Sequence, residues 1–161
     1  VGRFLPNLKL LAMSDNNFDG PFPPSFSNAT SLQTISAGHN KFSGPIPLEL
    51  GSLTQLRHLY LHDNMLTNDP GNHVLSILTS FTNCRLLEDV DLLRNLLNGI
   101  LLASVGNLTI TLWRLRLSSN LIEGTIPSAL ANLTKLISLY LSSNKIKGLI
   151  PPNVGQLHSL Q

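Results

Sequence analysis

The chain has 161 residues, 42% of them hydrophobic, which is enough for one domain with a substantial core. Charged residues make up only 12% and the formal net charge is +2, which excludes the basic footprint of a nucleic-acid binder. No apolar run reaches the roughly 18 residues that a membrane-spanning helix needs, and with a single cysteine, Cys84, no internal disulfide can form.

In chain order, one short pattern recurs. Leu11 and Met13 alternate ahead of Asn16, and Phe18, Gly20 and Pro23 follow. The second unit has Ile35 and Ala37, then Asn40, Phe42, Gly44 and Pro47. The third has Leu59, Leu61, Asn64 and Leu66 but lacks the Gly-x-Ile-Pro ending. The fourth has Val90, Leu92, Asn95, Leu97 and Gly99, with Leu101-Leu102 where Ile-Pro would stand. The fifth and sixth return to type, with Leu115, Leu117, Asn120, Ile122, Gly124 and Pro127, then Leu139, Leu141, Asn144, Ile146, Gly148 and Pro151. Successive Asn anchors lie 24, 24, 31, 25 and 24 residues apart. A period of roughly 20 to 29 residues is the mark of a leucine-rich solenoid.

Each part of the unit has a physical role. The alternating apolar pair predicts a short strand with one face inward. A single coil cannot enclose a core, so only the next coil can bury that face. The Asn turns inward, where its amide must find partners; backbone groups of neighbouring turns supply them, giving a ladder through Asn16, Asn40, Asn64, Asn95, Asn120 and Asn144. The Gly positions suit a tight bend or a positive φ, and the following prolines fix an extended return path. Residues 1–161 therefore read as one solenoid domain of about six coils.

The long step holds an insertion at about residues 68–82. "NDPGNHVLSILTSF" opens with turn residues and then sets Val74, Ile77, Leu78 and Phe81 at helical spacing, with Asn72 as a candidate cap. It reads as a short amphipathic helix on the outer surface, or as an island-like ligand loop.

The stretches "NKFSGPIP", "NLIEGTIP" and "NKIKGLIP" resemble the plant-type leucine-rich repeat, and "LTSFTNCRLLEDVDLLRNLLNG" resembles the middle of plant receptor-like kinase ectodomains of the immune-receptor class. The resemblance implies an α/β horseshoe: a leucine-rich repeat solenoid with a concave parallel β-sheet and 3-10, short helical or extended segments on its convex side. It also implies a segment of a longer array, a non-enzymatic recognition module at the extracellular face of the plasma membrane or in the cell-wall space. Its partners would be a peptide or protein ligand and a co-receptor ectodomain, in defence or signalling, with no cofactor, no nucleic acid and no membrane contact by this segment. A serine/threonine kinase domain would belong to the parent receptor. The alternative is a secreted inhibitor of a microbial cell-wall-degrading enzyme, built on the same repeat.

Function in such a fold lives on the outward strand positions, which line the concave face. The first coil offers Leu10, Ala12, Ser14 and Asp15, the second Thr34, Ser36, Gly38 and His39. Coils three to five concentrate charge and aromatics: His58, Tyr60, His62 and Asp63; Asp89, Asp91, Leu93 and Arg94; Arg114, Arg116, Ser118 and Ser119. The sixth adds Tyr140 among serines. The expected binding patch is His39, His58, Tyr60, His62, Asp63, Asp89, Asp91, Arg94, Arg114, Arg116 and Tyr140, with the tyrosines and arginines as anchors. Adjacent strands lie about 4.8 Å apart, so Asp89 beside Arg114 and Asp91 beside Arg116 can equally serve to neutralise each other.

Catalysis and metal binding are not expected. Asp15, His39 and Asp63 fall in one column, but no nucleophile or oxyanion donor accompanies them. His58 and His62 are four strand residues apart, about 13 Å, too far for one ion. Cys84 occupies the apolar column of Leu5, Ala29, Leu53, Leu108, Leu133 and Leu157, as a core thiol would. Asn28, Asn107 and Asn132 each begin an N-x-T sequon in the same slot of the repeat. That slot predicts a stripe of glycans on one flank, although Asn83 shares it without a sequon, so turn chemistry can also favour Asn there. The terminal coils, with Phe4, Leu5 and Leu8 at one end and Leu157 and Leu160 at the other, are expected to expose core residues.

Overall fold

The computed structural model describes residues 5–161; of the terminal residues named above, Phe4 lies outside them. Six short strands form one parallel sheet in chain order: β1 (Leu10–Ala12), β3 (Thr34–Ser36), β5 (His58–Tyr60), β7 (Asp89–Asp91), β9 (Arg114–Arg116) and β11 (Ser138–Tyr140). The register pairs Leu11, Ile35, Leu59, Val90, Leu115 and Leu139 in one column, each beside its counterpart in the next coil. Ile35, Leu59, Val90 and Leu115 are fully buried in that column, each contributing about 1.5–3 kcal/mol through burial. The chain is therefore a leucine-rich repeat solenoid, and this sheet is its concave face.

Between these strands run β2 (Asp19–Pro21), β4 (Lys41–Pro45), β6 (Met65–Thr67), β8 (Asn98–Ile100), β10 (Leu121–Gly124) and β12 (Lys145–Ile146). They form two separate three-stranded parallel sheets, β2-β4-β6 and β8-β10-β12. Gly44 and Gly124, at φ +72° and +83°, carry the chain through the bend that sequence assigned to them. On the convex side each coil returns through a 3-10 helix: Pro24–Asn28, Leu48–Ser52, Phe81–Asn83, Ala103–Asn107, Ser128–Asn132 and Pro152–Gln156.

The insertion is what splits the second layer of strands. After β6 the chain turns through residues 68–74, and Val74 forms an isolated parallel bridge to Ile100. It then forms α1 (Ser76–Ser80), which buries Leu75, Ile77, Leu78 and Phe81 between the neighbouring convex helices. The helical reading holds, and the helix packs against the convex 3-10 helices. Asn72 is not the cap. Leu75 stands at that position, and the Asn72 side chain instead accepts from Val74 N at 3.0 Å and donates to Ser76 Oγ at 2.7 Å, an Asx turn that directs the chain into the helix.

The ladder of asparagines forms as the pattern required. The Asn120 amide nitrogen donates to the carbonyls of Leu92, Leu117 and Ser118 at 2.9–3.2 Å, and its oxygen accepts from Leu97 N at 3.0 Å. Asn40, Asn64, Asn95 and Asn144 repeat this, each joining two coils. Asn16 departs from the expectation. It is exposed and donates only to Met13 and Ser14 of its own turn, because among the described residues no coil precedes it. At the ends, Leu5 and Leu160 are exposed and Leu8 is half-buried, but Leu157 is buried, tucked into the core under the fifth coil.

Candidate functional site

The outward columns of β5, β7, β9 and β11 build one polar surface. In the first column His58 stands beside Asp89 and Asp89 beside Arg114; in the second Tyr60, Asp91, Arg116 and Tyr140 follow one another. Arg114 grips Asp89 with both Nε (2.8 Å) and Nη2, while the Tyr60 hydroxyl donates to the same carboxylate at 3.0 Å. Arg116 Nη1 donates to Asp91 at 3.0 Å. Burial of Tyr60, reinforced by the Asp89 charge, pushes its phenol up to about 12, so the hydroxyl keeps the proton that it donates to Asp89. The hydrogen bond to Asp89 likewise raises Arg114 above its usual range.

Asp89 and Asp91 stand both in the expected patch and as neutralising partners of Arg114 and Arg116; they are buried, and the pairing is what forms. The arginines of the next strand fold over them, so the two carboxylates are the floor of the surface rather than its contact layer. A buried carboxylate is tolerated only when paired and hydrogen-bonded, and that pairing aims the guanidiniums. Arg114 stacks on Trp113 at 4.6 Å and Arg116 lies 5.3 Å over the Tyr140 ring. Tyr140 stays exposed, and His58 stacks on Tyr60 at 6.1 Å between rings. What the surface presents outward is thus Tyr140, the edges of Tyr60 and His58, and the outer faces of two clamped arginines.

Past the ends of the strands the column of Asp15, His39, Asp63, Arg94, Ser119 and Ser143 adopts a left-handed backbone, φ +50° to +56°. Arg94 donates to Asp63 at 3.3 Å and remains largely exposed. His39 and His62, on neighbouring coils, pack edge to face at 5.0 Å, and both approach Asp63. Asp15 does not join them: among the described residues the cluster is His39, His62 and Asp63. Sequence reading tested His58 with His62 along one strand and missed this diagonal pair, whose signal is an offset of one repeat less one residue.

It also missed three supporting residues. Glu88 pairs with Arg57 and approaches His58 Nε2 at 3.5 Å. Trp113 carries Arg114. Gly38 leaves the space that the His62 ring occupies, since a Cβ there would lie 2.5 Å from that ring. Glu88 and Trp113 each sit one residue outside the alternating pattern, whereas Gly38 stands within it and has no side chain to mark its role. Across this face Glu88, Asp89, Asp91 and Asp63 meet Arg57, Arg114, Arg116 and Arg94 one to one. The surface is charge-balanced, so it offers directional donors rather than a strong net field.

Asn28, Asn107 and Asn132 each end a convex 3-10 helix and are exposed. Cys84 is fully buried, its thiol 3.6 Å from the Gly51 carbonyl, and burial pushes it up to about 11. Among the described residues no helix is long and apolar enough to cross a membrane.

Comparison with known proteins gives a consistent picture. Leucine-rich repeat family profiles match residues 7–29, 31–53 and 110–161. The chain is 40% identical over 90 residues to the LRR receptor-like serine/threonine-protein kinase EFR of Arabidopsis thaliana, a match covering 54% of this chain and 9% of that protein. The plant peptide hormone receptor RGFR1, solved in complex with RGF2, superposes with a TM-score of 0.90 at 28% identity, over 99% of this chain and 24% of the receptor. The Arabidopsis receptor kinase HAESA ectodomain, solved with an N-terminally extended IDA peptide hormone, gives 0.87 at 34% identity, over 98% of this chain and 26% of that one. The chain spans about a quarter or less of the length of each.

Proposed function

Since this chain is a plant-type leucine-rich repeat solenoid homologous to plant receptor-like kinases, we propose that it recognises a peptide or protein on its concave face, as a ligand-sensing segment of a cell-surface receptor in defence or signalling. The observation that carries the reading is the row of clamped arginines and aromatics on β5 to β11, bordered at β1 and β3 by Leu10, Ala12, Thr34 and Ser36. Aromatic and Arg side chains held rigid before binding are the groups that dominate recognition. Two structural neighbours were solved in complex with peptide hormones, which supports a peptide as the class of ligand. The exposed sequons support an extracellular setting, where glycans on the convex flank would leave the concave face clear.

Selection of peptides from a display library on the immobilised chain, followed by affinity measurement on variants, tests this. Tyr140→Ala is expected to weaken a selected binder by about tenfold or more, the effect of losing one hot-spot residue. His58→Ala should weaken it less, and Ile110→Ala on the exposed outer side should leave it unchanged. Binders indifferent to Tyr140 and His58 but sensitive to Ile110 would move the site off the concave face.

A further inference from the structure

We propose that His39, His62 and Asp63 form a binding site for a divalent transition-metal ion of the zinc class, at the edge of the concave face between the second and third coils. One ligand atom from each residue lies within 4.8 Å of the other two, and His39 Nδ1 is 3.7 Å from Asp63 Oδ2. Tetrahedral zinc with bonds of about 2.0–2.2 Å separates its ligand atoms by about 3.4 Å, so small side-chain rotations close the site.

The backbone already holds the three residues together. His39 N donates to His62 O at 3.0 Å and Asn40 N to Asp63 O at 3.2 Å, which cross-braces the two turns that carry the ligands. His39 and Asp63 both hold a left-handed backbone, φ +52°, fixing the direction in which each side chain leaves the chain. Gly38 seats the His62 ring, and no larger residue could stand there without displacing it.

The surroundings also fit. His62 Nδ1 is buried, has no hydrogen-bond partner, and faces Asp91 Oδ2 at 3.7 Å. A contraction of under an ångström turns this into the carboxylate–imidazole contact that orients a metal-bound histidine through its far nitrogen, leaving Nε2 as the ligand. Arg94 holds Asp63 by Oδ1, on the other side from the Oδ2 that approaches His39, so the carboxylate can serve both. Two imidazoles and one carboxylate suit zinc and its neighbours, whereas calcium and magnesium demand oxygen-rich shells. Three protein ligands leave a fourth position open. His39 is exposed, so that position is reachable by water or by a donor atom of a bound partner.

Calorimetric titration of the chain with Zn²⁺ alone, after treatment with a chelator, tests the assignment. One equivalent should bind per chain, with no response to Mg²⁺ at the same concentrations. His39→Ala and Asp63→Asn should each weaken Zn²⁺ binding by at least about tenfold, and His39, half-exposed, can be replaced without disturbing the core. His158→Ala, remote from the cluster in sequence and on another coil, should bind as the parent does. Absence of saturable Zn²⁺ binding would overturn the site, as would binding that survives both His39→Ala and Asp63→Asn.

Discussion

Asn120 shows what a single residue does in this chain. Its amide makes three donor bonds and accepts one across two coils, all in a setting only 5% exposed. Asn120→Leu fills similar volume but strands those backbone groups, at a cost of about 1–3 kcal/mol. The matching change at Asn16, exposed and bonded only to its own turn, should cost far less, and a comparison of denaturant midpoints checks the difference. Equal losses would mean that the ladder does not hold coils together. The role of the inward Asn was legible in sequence because burying an amide admits few solutions. The burial of Asp89 and Asp91 was not: alternation gives the side of the strand on which a residue stands, but not whether a long arginine from the next strand will cover it. The His39–His62 contact was hidden for a related reason, since it depends on Gly38 of one coil making room for a ring from another.

At the scale of elements, the apolar columns gave the register outright, because a strand flanked by identical strands has one alignment that keeps Ile35, Leu59, Val90 and Leu115 inside. The insertion was legible as a helix from Ile77, Leu78 and Phe81 but not as a break between the two outer sheets. That break follows from strand pairing across coils, and sequence periodicity within one coil carries no information about it. The convex 3-10 helices bear the next prediction. Asn28, Asn107 and Asn132 end three of them in equivalent exposed positions, so secretion from plant cells should glycosylate all three. Enzymatic deglycosylation followed by mass spectrometry should find Asn converted to Asp at these positions and not at Asn83. Bare sequons in a secreted product would contradict the extracellular reading.

For the whole molecule, the packed pairs of elements among the described residues lie within one coil or join coils adjacent in sequence, so the array behaves as a stack of coils with a frame and a face. The frame uses the leucines and asparagines; the face carries Tyr60, Arg114, Arg116 and Tyr140, three of which also satisfy the buried Asp89 and Asp91. That division makes the family readable from the frame, while the choice of ligand, under the proposed function, would depend on the face. The measurement that tests the concave-face account most directly is hydroxyl-radical footprinting of the chain with and without a selected peptide. Bound peptide should protect Tyr140, Tyr60 and His58, while the outer-side residues Leu121, Ile110 and Leu149, all exposed, label as before. Protection confined to Leu121, Ile110 or Leu149, with Tyr140 labelling unchanged, would contradict it.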